Sequence, residues 1–386
     1  MTPKKVVYSG PIGRRNAILI GWKLLVSSTM LLCVVAIIRT YSGNLGVVPS
    51  HLTSGRKIDP GFSSEETLKE KSVHLVKPPK VAFLFLVKRD IPLDFLWDNF
   101  FQSADVAHFS IYIHSTPGFK FDGLTTRSLF FYDRQISNSV QVAWGESTMI
   151  EAERLLLAAA LEDSSNQRFV LLSDSCVPLY NFTFIYNYLM ASSKSFVDSF
   201  LEKRESRYNK MMLPAIVKSK WRKGSQWIAL NRQHASVVIN DEIVFANFRK
   251  HCYRRQLSKL KEKPSKHRDC IPDEHYVQTL LSMKGLEDEL ERRSLTYTEW
   301  DQSTNENRGW HPKTFSFGNI GIEKINKIKA IKNINFEGEK RVEWCKINSD
   351  PVPCFIFARK FSRGAAMHIL AEGLVNSIED VTTSET

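Results

Sequence analysis

The stretch Val81 to Val87, VAFLFLV, entered through Lys80, is an apolar run with no polar break. Such a run lacks the alternation of a half-solvated strand and fits a strand buried on both faces, the hallmark of a parallel sheet covered by helices. The segments that follow repeat the theme. Ile91 to Gln102 reads as helix, Phe109 to Ile113 as strand, and Ser128 to Tyr132 as a third strand. Thr148 with Glu151 has the spacing of a capping box ahead of the helix-favouring Glu146 to Leu161 segment. The strand Phe169 to Leu172, the helix Phe182 to Met190 and the strand Gln226 to Leu230 continue the series. Strand–helix alternation with connections of this length predicts an α/β domain over residues 80–386, with a mostly parallel, Rossmann-like sheet and helices on both faces.

Upstream the chain changes character. Ala17 to Ile38 is an apolar stretch broken only by Lys23, and its 22 residues would span roughly 33 Å as a helix, enough to cross a bilayer core. Lys4, Lys5, Arg14 and Arg15 precede it, so the positive-inside rule puts residues 1–16 in the cytoplasm as a tail, 17–38 in the membrane as a signal anchor and the rest in a lumen. Residues 39–79, rich in Gly, Ser, Pro and charge, read as a lumenal stem. Cysteine usage agrees with an oxidising compartment. Cys345 and Cys354 enclose a short loop suited to a disulfide, and Cys252 and Cys270 bracket a Lys/Arg run whose ends they could tie, although sequence leaves the connectivity open. Asn181-Phe182-Thr183 is a glycosylation sequon.

The 386 residues carry a net charge of +12, which raises the question of nucleic acid. The surplus lies in two blocks. Residues 1–58 hold eight basic and no acidic side chains, and residues 203–268 hold eighteen basic and four acidic ones. The first block is the topology signal. Within the second, the Lys/Arg run 249–268 has only Tyr253 as an interleaved aromatic and no nucleic-acid-binding module, so the block reads as an acceptor-side segment followed by a solvated loop, and no nucleic-acid partner is expected. Dinucleotide, P-loop and nucleophile-elbow signatures are absent from the sequence, as is Cys or His spacing for zinc. No Asp-x-Asp pair offers to chelate a metal diphosphate.

Sheets of this class bind ligands beyond the carboxyl ends of their strands. Polar residues collect there: His114-Ser115-Thr116 after the second strand and Ser173-Asp174-Ser175 after Phe169 to Leu172. The densest polar cluster is Cys270 to Tyr276, CIPDEHY, where Pro272 suits a first helical turn and Glu274 is a candidate general base. The succession of Lys80-VAFLFLV, FSIYIHSTPGF (109–119), VAWGESTMIEAERLLLAAAL (142–161), FVLLSDSCVPLYNF (169–182), WRKGSQWIALNRQHA (221–235), CIPDEHYVQTLL (270–281), LTYTEWDQ (295–302), HPKTF (311–315) and CFIFARKF (354–361) resembles the core-2/I-branching β-1,6-N-acetylglucosaminyltransferase-like family, particularly its plant members. The anchor and stem match these Golgi type II enzymes.

That resemblance implies a GT-A-like fold and an inverting, metal-independent transfer from a UDP-sugar, with no cofactor, to a glycan or glycoprotein acceptor. Glu274 matches the family's catalytic glutamate and Lys360 the lysine that holds the UDP diphosphate. Without a metal, Lys or Arg must balance the leaving group. A second phosphate cation has no secure match; Lys313 and Arg359 are the candidates. His114 matches the uridine-binding histidine and Trp300 an acceptor-lining tryptophan. Trp221, Arg222 and Lys223 fall near acceptor-contacting positions. The expected donor is UDP-N-acetylglucosamine, with UDP-xylose or UDP-glucuronate as alternatives; a non-catalytic, membrane-tethered glycan-binding protein is the alternative of a different class.

Overall fold

The computed structural model describes residues 77–202, 207–252, 270–300 and 311–373. The chain divides into units Met1–Val73 and His74–Thr386. The expected tail (1–16), anchor (17–38) and nearly all of the stem lie outside the described residues. Among the described residues, no helix is long and apolar enough to cross a membrane.

Elements run in the order β1 (Lys80–Leu86), α1 (Asp94–Gln102), β2 (Phe109–His114), α2 (Thr148–Leu161), β3 (Asn166–Ser173), β4 (Val177–Pro178), α3 (Phe182–Ala191), β5 (Ser195–Phe196), β6 (Ala229–Asn231), α4 (Arg232–Ile239) and α5 (Ile243–His251). They continue with α6 (Tyr276–Met283), β7 (Leu290–Glu291), β8 (Thr296–Thr298), α7 (Ile322–Lys329), β9 (Asn333–Phe336), β10 (Arg341–Trp344), β11 (Lys346–Ile347), β12 (Asp350–Pro351), β13 (Phe357–Arg359) and α8 (Arg363–Ala371). The main sheet has the order β2-β1-β3-β6-β5-β7. Its pairings leave only β6 reversed, so the sheet is mixed but mostly parallel, as expected.

The apolar run earns its central place by facing two cores. Val81, Phe83 and Phe85 pack with Trp97, Phe100 and Phe101 of α1 and with Ile185 of α3. Ala82 and Leu84 pack on the other side with Ile150 and Leu156 of α2 and Leu280 of α6. Strand order reverses at β1, because β2 pairs on one side of it and β3 on the other. The crevice at the carboxyl ends of β1 and β3 is therefore the expected ligand position.

Several local expectations shift. Ser128–Tyr132 is not a strand: Leu129–Phe131 forms a 3₁₀ turn that buries Phe131 edge-on against Phe85 at 5.4 Å. The first helix begins at Asp94 rather than Ile91, since the Asp94 carboxylate accepts from Thr126 Oγ1 and the Arg127 N–H, both at 2.9 Å. The Thr148–Glu151 capping box does not form; Thr148 Oγ1 instead accepts the Ala143 N–H at 3.0 Å. The strand read over Gln226–Leu230 begins only at Ala229. The GSQ segment before it is taken up by the site. Cys252–Cys270 and Cys345–Cys354 are the two disulfides, and Cys176 is free and buried.

Candidate active site

At the carboxyl end of β3 the chain turns through Ser173, Asp174 and Ser175 into Cys176, whose carbonyl accepts the Trp97 indole N–H at 3.1 Å. The small sheet β4-β13-β8 lies against this turn, and the Phe361 N–H donates to the Ser175 carbonyl at 3.0 Å. This delivers Arg359 and Lys360 to the strand end. Arg359 is half-buried with its guanidinium 4.3 Å over the Trp227 ring, and Nε has no hydrogen-bond partner among the described residues. Burial lowers its pKa, while the nearby Cys176, Asp174 and Asp273 favour its charge. Lys360 is half-buried; burial and the Arg359 charge push its ammonium down, and Asp174 opposes them. Burial in turn raises Asp174 against both cations. Two adjacent cations, incompletely neutralised, thus sit at the crevice.

His114 ends β2. Its Nε2 accepts the Val140 N–H at 3.0 Å, and burial lowers its pKa to about 4, so the ring is neutral with Nδ1 lacking a partner among the described residues.

Glu274 arrives from another direction. Pro272–Glu274 is a 3₁₀ turn that precedes α6, rather than the first turn of that helix. Glu274 Oε2 accepts from Arg207 Nη1 at 2.8 Å, and Lys223 Nζ stands 3.7 Å away. Its carbonyl accepts the Gly224 N–H at 2.9 Å. Beside it Asp273 is buried, raised to about 7 first by that burial and then by the Glu274 charge. Glu153 of α2, wholly buried and accepting from Gln226 Nε2 at 2.8 Å, is held far above the usual carboxylate range by burial and by Asp273.

The remaining expected residues divide. Trp300 is 50% exposed and pairs with Pro312. Lys313 donates to the Glu299 carboxylate at 3.0 Å, on the Trp300 side, while the Phe315 N–H reaches the Lys360 carbonyl at 2.7 Å. The segment 311–315 thereby joins the aromatic to the phosphate-side strand. Lys223 lies beside Glu274, but Trp221 and Arg222 face inward. Trp221 stacks between His275 at 4.5 Å and Phe248 at 5.4 Å, and Arg222 makes a bidentate pair with Glu287 at 2.7 and 3.0 Å. They support the turn rather than line an opening: the Arg222 carbonyl accepts from His275 Nδ1 at 2.7 Å. Asn181 caps α3, its Oδ1 accepting the Phe184 N–H at 2.9 Å. Among the described residues, no group of three or more His, Cys, Asp or Glu is arranged to hold a metal. Sequence reading missed Arg207, Asp273 and Glu153. Asp273 adjoins the chosen glutamate, and the other two reach it only through the fold.

Residues 81–329 match the family model of the Core-2/I-Branching enzyme. The chain is also 52% identical over 307 residues, 77% of each chain, to the protein described as Glycosyltransferase BC10 of Oryza sativa subsp. japonica.

Proposed function

The chain belongs to the Core-2/I-branching enzyme family and is a glycosyltransferase, and on that premise we propose that it moves N-acetylglucosamine from its UDP-sugar to a glycan hydroxyl by a single inverting displacement that needs no metal. The observation that carries this reading is the position of Asp273, which feels both the Glu274 carboxylate and the Arg359 guanidinium. A carboxylate and the Arg359 cation, more than eighty residues apart in sequence, therefore act on one small region.

The chemistry needs that pairing. The acceptor oxygen attacks the anomeric carbon as the bond from that carbon to the diphosphate oxygen breaks, and UDP leaves with the bonding electrons. Glu274 takes the hydroxyl proton. Lys360 and Arg359 offset the negative charge that grows on the diphosphate, in a site where burial strengthens such interactions. Lys313 is a less direct candidate because Glu299 already engages it. His114, neutral and with one ring nitrogen available, suits a hydrogen bond to the uracil. Trp300 offers a half-exposed indole face for an acceptor ring. The apolar run at 17–38 supports a single-pass type II anchor with the transferase in the Golgi lumen.

The test is UDP release by the full-length chain in detergent, with EDTA, over UDP-N-acetylglucosamine, UDP-xylose and UDP-glucuronate. Glu274→Gln should lower turnover at least 100-fold, as loss of a general base does. Lys360→Ala should weaken UDP binding. No turnover of any of the three donors, or an undiminished Glu274→Gln, refutes the reading.

A further inference from the structure

The β9–β10 hairpin lies beyond residues 81–329, the span matched by the family model. Nevertheless it is hydrogen-bonded to the loop 198–201, which pairs with the segment that holds the candidate base. We infer that Glu339, at the turn of this hairpin, is a positioning residue for Glu274, acting through Arg292, Arg341 and the loop 198–201; the inference rests on the assignment of Glu274 as base.

The connection can be followed atom by atom. Glu339 Oε1 accepts the Leu201 N–H at 2.8 Å. The same carboxylate receives Arg292 Nη2 at 3.1 and 3.2 Å and Arg341 Nε at 2.9 Å. Arg292 turns its other edge onto the Ser199 carbonyl, donating from Nε at 3.0 Å and Nη2 at 2.7 Å. Burial pushes the Glu339 carboxyl up, but the Leu201 and Arg341 hydrogen bonds and the two arginine charges outweigh it and leave its pKa below the ordinary value. The group is thus an anion with three converging donors. Phe200 packs on Phe336 of the hairpin, with ring centres 5.8 Å apart, and Arg341 covers the Phe336 ring at 4.0 Å.

From the loop the path continues inward. Phe200 exchanges two backbone hydrogen bonds with Lys223, at 2.8 and 2.9 Å. The next residue, Gly224, donates to the Glu274 carbonyl at 2.9 Å, and the Lys223 ammonium flanks the Glu274 carboxylate. Between the hairpin and the base, then, lie one side-chain bond, one backbone pair and one further backbone bond. Displacing the base by about 1 Å is enough to cost on the order of 100-fold in rate. Nothing in this path touches Arg359 or Lys360, so donor binding is separable from it.

Glu339→Gln keeps the size of the side chain and removes its charge. In the full-length chain it should lower kcat for UDP release by about 10- to 100-fold, leave the Kd for UDP within twofold of wild type, and cause little further loss when combined with Glu274→Gln. Should Glu339→Gln give no folded protein, Arg292→Lys, which keeps the charge but loses the fork on Ser199, is read the same way. An unchanged kcat, a UDP affinity that falls in step with kcat, or an equal loss in the Glu274→Gln background overturns the inference. The base assignment fails separately, and visibly, if Glu274→Gln alone is as active as wild type.

Discussion

Gly224→Ala is the sharpest perturbation of the site. A Cβ built at Gly224 would stand 1.7 Å from the Asp198 carbonyl oxygen, 2.5 Å from its carbon and 3.1 Å from Gln278 Nε2. Carbon and carbonyl oxygen approach no closer than about 3.3 Å, so the two backbones must part by roughly 1.5 Å. The Asp198 side cannot yield freely, because its carboxylate accepts the Ser225 N–H at 3.0 Å and Phe200 is paired with Lys223 two residues further on. The separation would sacrifice the Phe200–Lys223 pair and the Gly224–Glu274 bond. At about 1 kcal/mol net for each of these bonds, the cost is about 3 kcal/mol. For a domain of this size that corresponds to a fall in Tm of roughly 5–10 °C. Because the Gly224 N–H holds the Glu274 carbonyl, kcat should drop on the order of 100-fold alongside. Thermal melting and UDP release on the same preparation measure both. Gly364→Ala is the control: the new Cβ would meet only Phe317 Cβ at 3.6 Å, and alanine favours the α8 helix by up to about 1 kcal/mol. A Gly224→Ala enzyme that melts within 2 °C of wild type and keeps its kcat would refute the reasoning.

Opening the Cys252–Cys270 disulfide by Cys→Ser at both positions should lower stability by about 3 kcal/mol, given the 18-residue separation, with less loss for Cys345–Cys354 and its separation of 9; chemical denaturation of each variant checks the order, and equal or reversed losses contradict it. Asp198 supplies a pH test. Burial raises its carboxyl from 3.8 to about 7, so the folded chain holds a proton there that the unfolded chain has released. Its favourable contribution is complete below about 3.8 and is lost as pH rises through about 7. Asp198→Asn should therefore melt like wild type at about pH 3.5 and increasingly higher than wild type as pH rises to about 8, where the difference reaches at most about 4 kcal/mol. Parallel Tm curves for the two proteins between those limits would dispose of the assignment.

What sequence made legible were the features set by local composition. The VAFLFLV run announces burial on both faces because every residue in it is apolar, and the disulfides follow from cysteines that bracket short loops. Ser128–Tyr132 misled for the same reason. Its aromatic content suits a strand, but Phe131 is needed as a plug against Phe85 and Phe101, and a 3₁₀ turn delivers it. Trp221 falls near the acceptor-contacting positions of the resemblance, whereas in space it is covered by the rings of His275 and Phe248 from other segments. Arg207 escaped notice because a basic residue in a basic block carries no mark of its partner. In sequence Glu153 is one more acid in a helix-favouring segment, and only the packing of α2 against the PDE turn makes it a buried carboxyl beside Asp273.

The distribution of charge takes on a different meaning once the fold is known. Residues 207–223 contribute six basic and no acidic side chains, and in sequence they look like a surface for an anionic ligand. In the structure Arg207 and Lys223 converge on Glu274, and Arg222 is spent on Glu287. The block therefore works in part as internal counter-charge, and it is the proposed base, not the proposed phosphate site, that it surrounds. The cations proposed for the diphosphate come from β13 and the residue after it, outside both basic blocks, where Asp174 favours their charge against burial. A displacement without a metal needs positive charge where the leaving group departs and a carboxylate where the hydroxyl enters. In the proposed reaction the two come from segments far apart in sequence, and Asp273 feels the charges of both Glu274 and Arg359. Net charge could not have located either end, because cations of the basic block neutralise Glu274 and Glu287 and those proposed for the diphosphate are few.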